Sequence, residues 1–133
     1  MTAATRTAVA RYLEALNSGD PDRIASCVTE DFENEHTSAL GRGLHGRDAY
    51  RERLPVFLAE FSGLHYEVED TIVEDDRAAV GYTMTCSWLG GGGPEGRPLS
   101  IRGVFRFRVA GDLIAHRVDY WDSAEFSRQV AVS

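Results

Sequence analysis

Asp119 and His36 could transfer a proton, because each is an acid/base side chain within a segment that has the alternation of a β-strand. Asp119 is a carboxylate inside a run that otherwise reads as a β-strand, and Arg117 shares its face. Such a carboxylate is either paired with the arginine or held in a pocket as an acid or base. His36 shares one face of a short predicted strand with Phe32 and Asn34. A neutral imidazole there is a natural proton acceptor near pH 7, although a loop-end histidine can also be merely exposed.

Tyr12 could supply the complementary group, a hydrogen-bond donor to a developing oxyanion. It lies among Val9, Leu13 and Leu16, whose spacing is that of the apolar face of an amphipathic helix. A tyrosine on this face either packs in the core, with its hydroxyl finding any partner, or points into a cavity and donates to a ligand carbonyl or enolate. The spacing leaves both interpretations open.

Other chemistry-bearing patterns are missing from the sequence. It contains no GxGxxG, Walker, HExxH or GxSxG motif, so dinucleotide, nucleoside-triphosphate, zincin and α/β-hydrolase functions lack support. His45, His65 and His116 have no partner spacing, and we predict no metal site. Cys27 and Cys86 share no zinc or redox spacing and are expected to be small buried thiols.

The bulk composition describes an ordinary acidic globular chain. It has 133 residues, 43% of them hydrophobic and 26% charged, which predicts one domain over residues 1–133. The net charge of −7 argues against nucleic-acid binding, which needs a basic face. No apolar run is long enough for a membrane helix, and the N-terminal residues do not read as a signal peptide. We therefore expect a soluble protein in a reducing compartment, the cytoplasm.

Apolar periodicity predicts helices in the first half of the chain. The first helix should end at Asn17-Ser18-Gly19, because glycine tolerates the left-handed cap. Asp20-Pro21 then provides an N-cap and a first-turn proline for a short second helix. A third helix fits residues 48–61, with a kink or a late start at Pro55.

From residue 64 the apolar period changes to two, which is typical of strands. Gly90-Gly91-Gly92-Gly93-Pro94 predicts a flexible loop, and Asp122 with Glu125 fits a capping box that opens a terminal helix. Helices followed by long strands predict an α+β fold, in which a curved sheet on helices leaves a concave pocket. The strands are expected near residues 32–36, 64–68, 80–88, 101–109 and 113–121.

Three segments spread along the chain carry a family resemblance. Residues 8–22 resemble the first helix and turn of ketosteroid isomerases, and residues 44–50 are similar to the start of their third helix. Residues 114–122 resemble the last strand of SnoaL-like polyketide cyclases. Together they resemble the nuclear transport factor 2-like superfamily. The resemblance implies a curved antiparallel or mixed sheet wrapped as a cone on about three helices, with an internal pocket, and a homodimer.

The resemblance carries over to single residues only in part. Tyr12 falls where ketosteroid isomerases keep the tyrosine that donates to the dienolate oxygen, and His36 falls where they keep an aspartate base. Gly103 replaces their protonated aspartate, and the loss of such a donor costs about 3 kcal/mol of transition-state stabilisation. Familiar steroid isomerisation is therefore not expected. Asp119 matches the acid/base aspartate of SnoaL-like cyclases.

Asp119 also matches one of two aspartates of limonene-epoxide-hydrolase relatives. Their middle strand carries an Arg-x-Asp pair, however, and Tyr82-Thr-Met84 stands there instead. Epoxide opening is therefore a third interpretation. The second is a non-catalytic ligand-binding or dimerisation domain, in which Asp119 pairs with Arg117 and Tyr12 is core.

The favoured hypothesis is a cofactor-independent cyclase or isomerase for an enolisable, polyketide-like or other apolar carbonyl compound. Asp119, with His36, would transfer the proton. Tyr12 and Asn34 would hold the oxyanion. The candidate pocket walls are Tyr82, Trp88, Phe57 and Phe105.

Overall fold

The computed structural model describes residues 2–38, 40–90 and 96–131, which form helices packed on a six-stranded sheet. The strand order is β2-β1-β6-β5-β4-β3, with β1 and β6 parallel and every other neighbouring pair antiparallel. The predicted α+β fold with a mixed sheet is therefore confirmed. Of the predicted glycine loop, Gly91 to Pro94 lie outside the described residues. The elements are α1 (Thr2–Ser18), α2 (Pro21–Ala25), β1 (Val28–His36), β2 (Leu44–His45), α3 (Arg47–Glu60), β3 (Phe61–Glu74), β4 (Arg77–Trp88), β5 (Arg97–Ala110), β6 (Leu113–Trp121) and α4 (Ser123–Val130).

The helix boundaries follow the predicted capping signals. Gly19 adopts a φ of +70° directly after α1, a conformation that glycine reaches without strain. The Asp20 carboxylate accepts hydrogen bonds from two backbone N–H groups and caps α2. Pro55 lies inside α3, which remains helical through to Glu60.

The predicted capping box at α4 is formed on one side only. The Asp122 carboxylate accepts from the N–H of Ala124 and caps the helix. Glu125 does not return the bond, because its carboxylate instead contacts Arg128 and Gln129 one turn further on. The carboxylate cap alone therefore opens this helix.

The core lies between α1 and the concave face of the sheet. On β5, Phe105 and Phe107 point inward and are buried, whereas Arg102, Arg106 and Arg108 are exposed on the other face, as the alternation predicts. The buried residues of α1 that pack on this face are Ala8, Val9, Tyr12, Leu13, Ala15 and Leu16.

The two cysteines differ in their surroundings. Cys27 is buried in the core, as predicted. Cys86 lies on β4 at the edge of the core and is only half-buried, which corrects the expectation that both thiols are enclosed. Partial burial raises the pKa of the Cys86 thiol to about 11, so it is a weak nucleophile at neutral pH.

The described residues contain neither a membrane-spanning helix nor a metal-binding cluster. No helix in residues 2–38, 40–90 or 96–131 has the length and apolar character required to cross a bilayer. In the same residues, no three His, Cys, Asp or Glu side chains come together in a way that could hold a metal ion.

Candidate active site

A cavity of about 440 Å³ opens between α3 and the concave face of the sheet. Its polar lining includes His36, Asn34, Asp119 and Arg117. The remaining wall is mostly aromatic and aliphatic, and it includes Phe57, Phe61, Met84, Trp88, Ile101 and Phe126. A mostly apolar cleft with a few convergent polar groups is the usual form of a small-molecule site.

The pairing of β1 with β6 brings the polar residues together. The two strands run parallel, and their register places Asn34 beside Arg117 and His36 beside Asp119. Side chains two residues apart on a strand share a face, so all four point into the same cavity. Asn34 therefore lines the cavity where we predicted it would.

Asp119 is a buried carboxyl with only 5% of its surface exposed. The Tyr82 hydroxyl donates to its Oδ1 at 2.5 Å, and its Oδ2 lies 3.6 Å from Nδ1 of His36. Burial raises the pKa of the Asp119 carboxyl above its usual range, although the charge of Arg117 and the bond from Tyr82 oppose that shift. A carboxyl of this kind can exchange a proton closer to neutral pH than an exposed aspartate can.

His36 is neutral at physiological pH. Burial, together with the charges of Arg117 and Arg53, lowers the pKa of its imidazole to about 4. Trp121 donates its indole N–H to Nδ1 at 3.1 Å, which places the single imidazole proton on Nε2. The close approach of His36 to Asp119 is therefore a contact between an imidazole and a carboxyl, and not an ion pair.

Arg117 is buried but does not pair with Asp119. Its guanidinium donates to Oδ1 of Asn34 at 2.9 Å and to the hydroxyl of Tyr12 at 3.0 Å, and it stacks 5.0 Å from the Phe105 ring centroid. Burial opposes the charge, but Tyr12, Tyr50 and Asp119 nearby raise the pKa of Arg117 above its usual value. The site therefore holds a permanent cation whose hydrogen-bond partners are neutral.

Tyr12 stands behind the cavity wall, which corrects the expectation that it points into the cavity. It is fully buried, and its hydroxyl accepts from Arg117 and lies 2.6 Å from the hydroxyl of Tyr50. The buried Tyr12 proton needs an acceptor, and the Tyr50 oxygen provides one. Tyr50 lines the cavity, and this arrangement leaves its own proton free to donate into it. Of the two hydroxyls, that of Tyr50 is therefore the one placed to donate into the cavity.

The predicted apolar walls are partly in place. Tyr82, Trp88 and Phe57 line the cavity as expected. Phe105 does not, because the Tyr82 ring lies over it, with the two ring centroids 4.4 Å apart, and Phe105 is wholly buried. Its role is to support Tyr82 and Arg117 from below.

The sequence model of the SnoaL-like domain family matches residues 9–117. The chain belongs to the SnoaL-like domain family. No curated protein matches the chain significantly in sequence.

Solved structures agree with this SnoaL-like domain in fold. A Catenulispora acidiphila protein with a ketosteroid isomerase-like fold, crystallised with trimethylamine, is 16% identical, with a TM-score of 0.82 over 95% of this chain and 93% of its own. A Jannaschia protein provisionally named a SnoaL-like polyketide cyclase is 17% identical, with a TM-score of 0.83 over 99% of this chain and 94% of its own. TerC, co-crystallised with polyporic acid, is 17% identical, with a TM-score of 0.80 over 96% of this chain and 98% of its own. At such identities the likeness establishes the nuclear transport factor 2-like fold.

Gly103 has a structural role in this SnoaL-like domain. A β-carbon there would lie 2.4 Å from the Tyr82 hydroxyl and 2.7 Å from the backbone oxygen of Tyr120. The missing side chain leaves room for Tyr82 to reach Asp119. By the resemblance, Gly103 stands where ketosteroid isomerases have an aspartic acid. In this chain the Tyr82 hydroxyl occupies the space that a side chain at position 103 would need.

Sequence reasoning missed several residues of the site. Tyr50 follows the apolar spacing of α3 with Leu54 and Phe57, so its position on the helix face was readable but its hydroxyl was overlooked. Arg117 was noticed only as a partner for Asp119. Three further residues line the cavity without any signal in the apolar spacing. Arg42 lies in the loop before β2, Arg53 lies on the side of α3, and Trp121 ends β6.

Proposed function

We propose that this SnoaL-like domain is a cofactor-independent cyclase or isomerase that acts on an apolar, enolisable carbonyl compound by acid/base catalysis. The observation that carries the proposal is the Asp119 carboxyl, which is buried with a raised pKa in the same cavity wall as Tyr50 and Arg117. A proton acceptor next to oxyanion donors is what enolisation requires.

Asp119 performs the proton transfer. Tyr82 holds Oδ1, so Oδ2 is the oxygen that can take a proton from an acidic C–H bond of a bound substrate. The electron pair of that bond moves into the carbonyl to give an enolate. In an isomerisation, Asp119 returns the proton to another carbon. In a cyclisation, the enolate carbon attacks a second carbonyl, and the alkoxide that forms takes the proton.

The enolate oxygen is stabilised by Tyr50 and Arg117. The Tyr50 hydroxyl lies 2.6 Å from that of Tyr12, and with the Tyr12 proton on that contact its own proton can donate toward the cavity. Arg117 adds a fixed positive charge that is itself buried, and electrostatic stabilisation is stronger away from bulk water. Asn34 holds the guanidinium in place by accepting from its Nε–H.

The relatives support a small-molecule ligand. TerC was co-crystallised with polyporic acid, and the Catenulispora protein was crystallised with trimethylamine. A Xanthomonas campestris structure provisionally named a polyketide cyclase is 22% identical to this chain. These names agree with catalysis on a polyketide-like carbonyl.

Asp119→Asn tests the proposal. The probe is 2-tetralone, an aromatic ketone with acidic C–H bonds, and its deuterium uptake in D₂O is followed by NMR. We expect the wild-type protein to accelerate the exchange and the variant to lose about 10²–10⁴-fold of that rate. The amide keeps the oxygen that accepts from Tyr82, so urea unfolding should show a stable fold.

Glu33→Gln is the matched control, because this carboxylate is exposed on β1. It should leave the exchange rate unchanged. An Asp119→Asn variant that exchanges at the wild-type rate would remove Asp119 from the mechanism. Wild-type protein that binds 2-tetralone without exchanging it would instead favour the non-catalytic ligand-binding alternative.

A further inference from the structure

Positive charge is concentrated in the cavity of an acidic chain. The whole sequence has a net charge of −7, yet three arginines line the cavity, namely Arg42, Arg53 and Arg117. The lining carboxyl groups are Asp119 and Glu60, so the arginines outnumber them. A cavity with this balance attracts anions.

Arg42 and Arg53 form the outer part of this cationic group. Both side chains line the cavity but remain exposed, so they lie at its mouth. Arg53 donates from Nη1 to the backbone oxygen of Arg42 at 3.1 Å, which ties α3 to the loop before β2. Neither guanidinium has a carboxylate within ion-pair distance among the described residues, whereas Arg51 on the same helix pairs with Asp22.

The end of the cavity at Phe61 is mostly aromatic and carries one carboxylate. Phe61 begins β3 directly after α3, about 12 Å along the chain from Arg53 at the rise of a helix. Phe61 and Trp88 both contact the ring of Phe126 there. Glu60 belongs to this end, where its carboxylate accepts the indole N–H of Trp88 at 3.0 Å.

From this arrangement we propose that the substrate is an enolisable aromatic ketone that also carries a carboxylate, which Arg53 and Arg42 hold at the mouth while the rings lie against Phe57 and Trp88. Two exposed guanidiniums offer a carboxylate charge-assisted, bidentate hydrogen bonds. The aromatic end accepts a flat apolar body. The inference rests on the proposed function and names its substrate class.

The test compares 2-naphthoate with 2-naphthamide, which share one shape and differ in charge. Trp88 and Trp121 both line the cavity, so binding can be followed by tryptophan fluorescence and confirmed by calorimetry. We expect 2-naphthoate to bind about 5- to 10-fold more tightly at low salt. Added salt should reduce that preference, because the mouth is exposed.

Arg53→Gln should lower the carboxylate preference, and Arg42→Gln with Arg53→Gln should abolish it. Arg51→Gln is the matched control and should keep it, since Arg51 does not line the cavity. Equal binding of the two probes by wild-type protein, or a preference that survives in the double variant, would overturn the proposal.

Asp119→Asn separates this inference from the proposed function. The variant should lose exchange activity and still prefer 2-naphthoate, because the anion site lies at the mouth. If the wild-type protein exchanges 2-tetralone but shows no preference for 2-naphthoate, only the carboxylate proposal is refuted. If it prefers 2-naphthoate but does not exchange 2-tetralone, only the proposed enzymatic function is refuted.

Discussion

The hydrogen bond from Tyr82 controls how basic the Asp119 carboxylate is. A donor stabilises the charged form and so opposes the effect of burial, which raises the pKa of this carboxyl. Tyr82 reaches Asp119 only because Gly103 has no side chain. At the level of single residues, the proposed proton transfer therefore depends on a glycine whose role is to leave space for Tyr82.

Gly103→Ala tests that dependence. The added carbon collides with Tyr82 and with the backbone at Tyr120, so the variant should lose about 1–3 kcal/mol of unfolding free energy. Displacing Tyr82 removes a donor to the ionised carboxylate, and the pKa of Asp119 should rise further. Because Asp119 acts as a base when ionised, the acidic limb of the 2-tetralone rate profile should move to higher pH.

Gly81→Ala is the control for that experiment. A β-carbon at Gly81 meets nothing within 4 Å, and this glycine lies on the neighbouring strand β4. We expect unchanged or slightly increased stability and an unchanged pH profile. If the two alanine variants behave alike, the close approach of Tyr82 to Gly103 has no functional meaning.

At the scale of elements, hydroxyl groups join α1 and α3 to β6. Tyr12 on α1 contacts Tyr50 on α3 and accepts from Arg117 on β6. Tyr12 faces the buried cation and Tyr50 faces the cavity, so the two tyrosines contribute differently. The first should matter more for stability and the second more for catalysis.

Tyr12→Phe and Tyr50→Phe measure this division. Tyr12→Phe leaves a buried guanidinium N–H without its acceptor and should cost about 1–3 kcal/mol in urea unfolding. Tyr50→Phe should cost less stability but should lower the exchange rate about 10²–10³-fold, since it removes an oxyanion donor. Equal catalytic losses in both variants would contradict the assignment of Tyr50 as the donor.

At the scale of the whole molecule, the outer face of the sheet is the candidate for self-association. Ile72, Val104 and Tyr120 are exposed there, and Val104 lies opposite Tyr120 in the β5–β6 register. Exposed apolar groups on the face away from the core often mark an interface. We therefore continue to expect a homodimer that pairs through this face.

Light scattering after size-exclusion chromatography at micromolar concentration measures the state directly. Val104→Glu should give monomers, because it places a charge in the centre of the proposed interface. Val56→Glu is the control, since Val56 is exposed on α3 away from the sheet. A monomeric wild-type protein contradicts the prediction.

The positions of most elements, and the face that many side chains occupy, were predictable from the sequence. Period and capping predicted α1, the long strands and the exposure of Arg102, Arg106 and Arg108, because these features depend on neighbours along the chain. The same alternation placed Asp119 and Tyr82 on inward faces. The resemblance of three segments was sufficient to identify the fold.

The contacts between side chains of different elements were not predictable from the sequence. Arg117 and Asp119 share a face but are about 6–7 Å apart along their strand, and the parallel register with β1 brings Asn34 to the first and His36 to the second. Tyr12 and Tyr50 meet because two helices pack together. Such contacts depend on strand register and helix packing, which join residues far apart in the chain, and local periodicity carries no information about either.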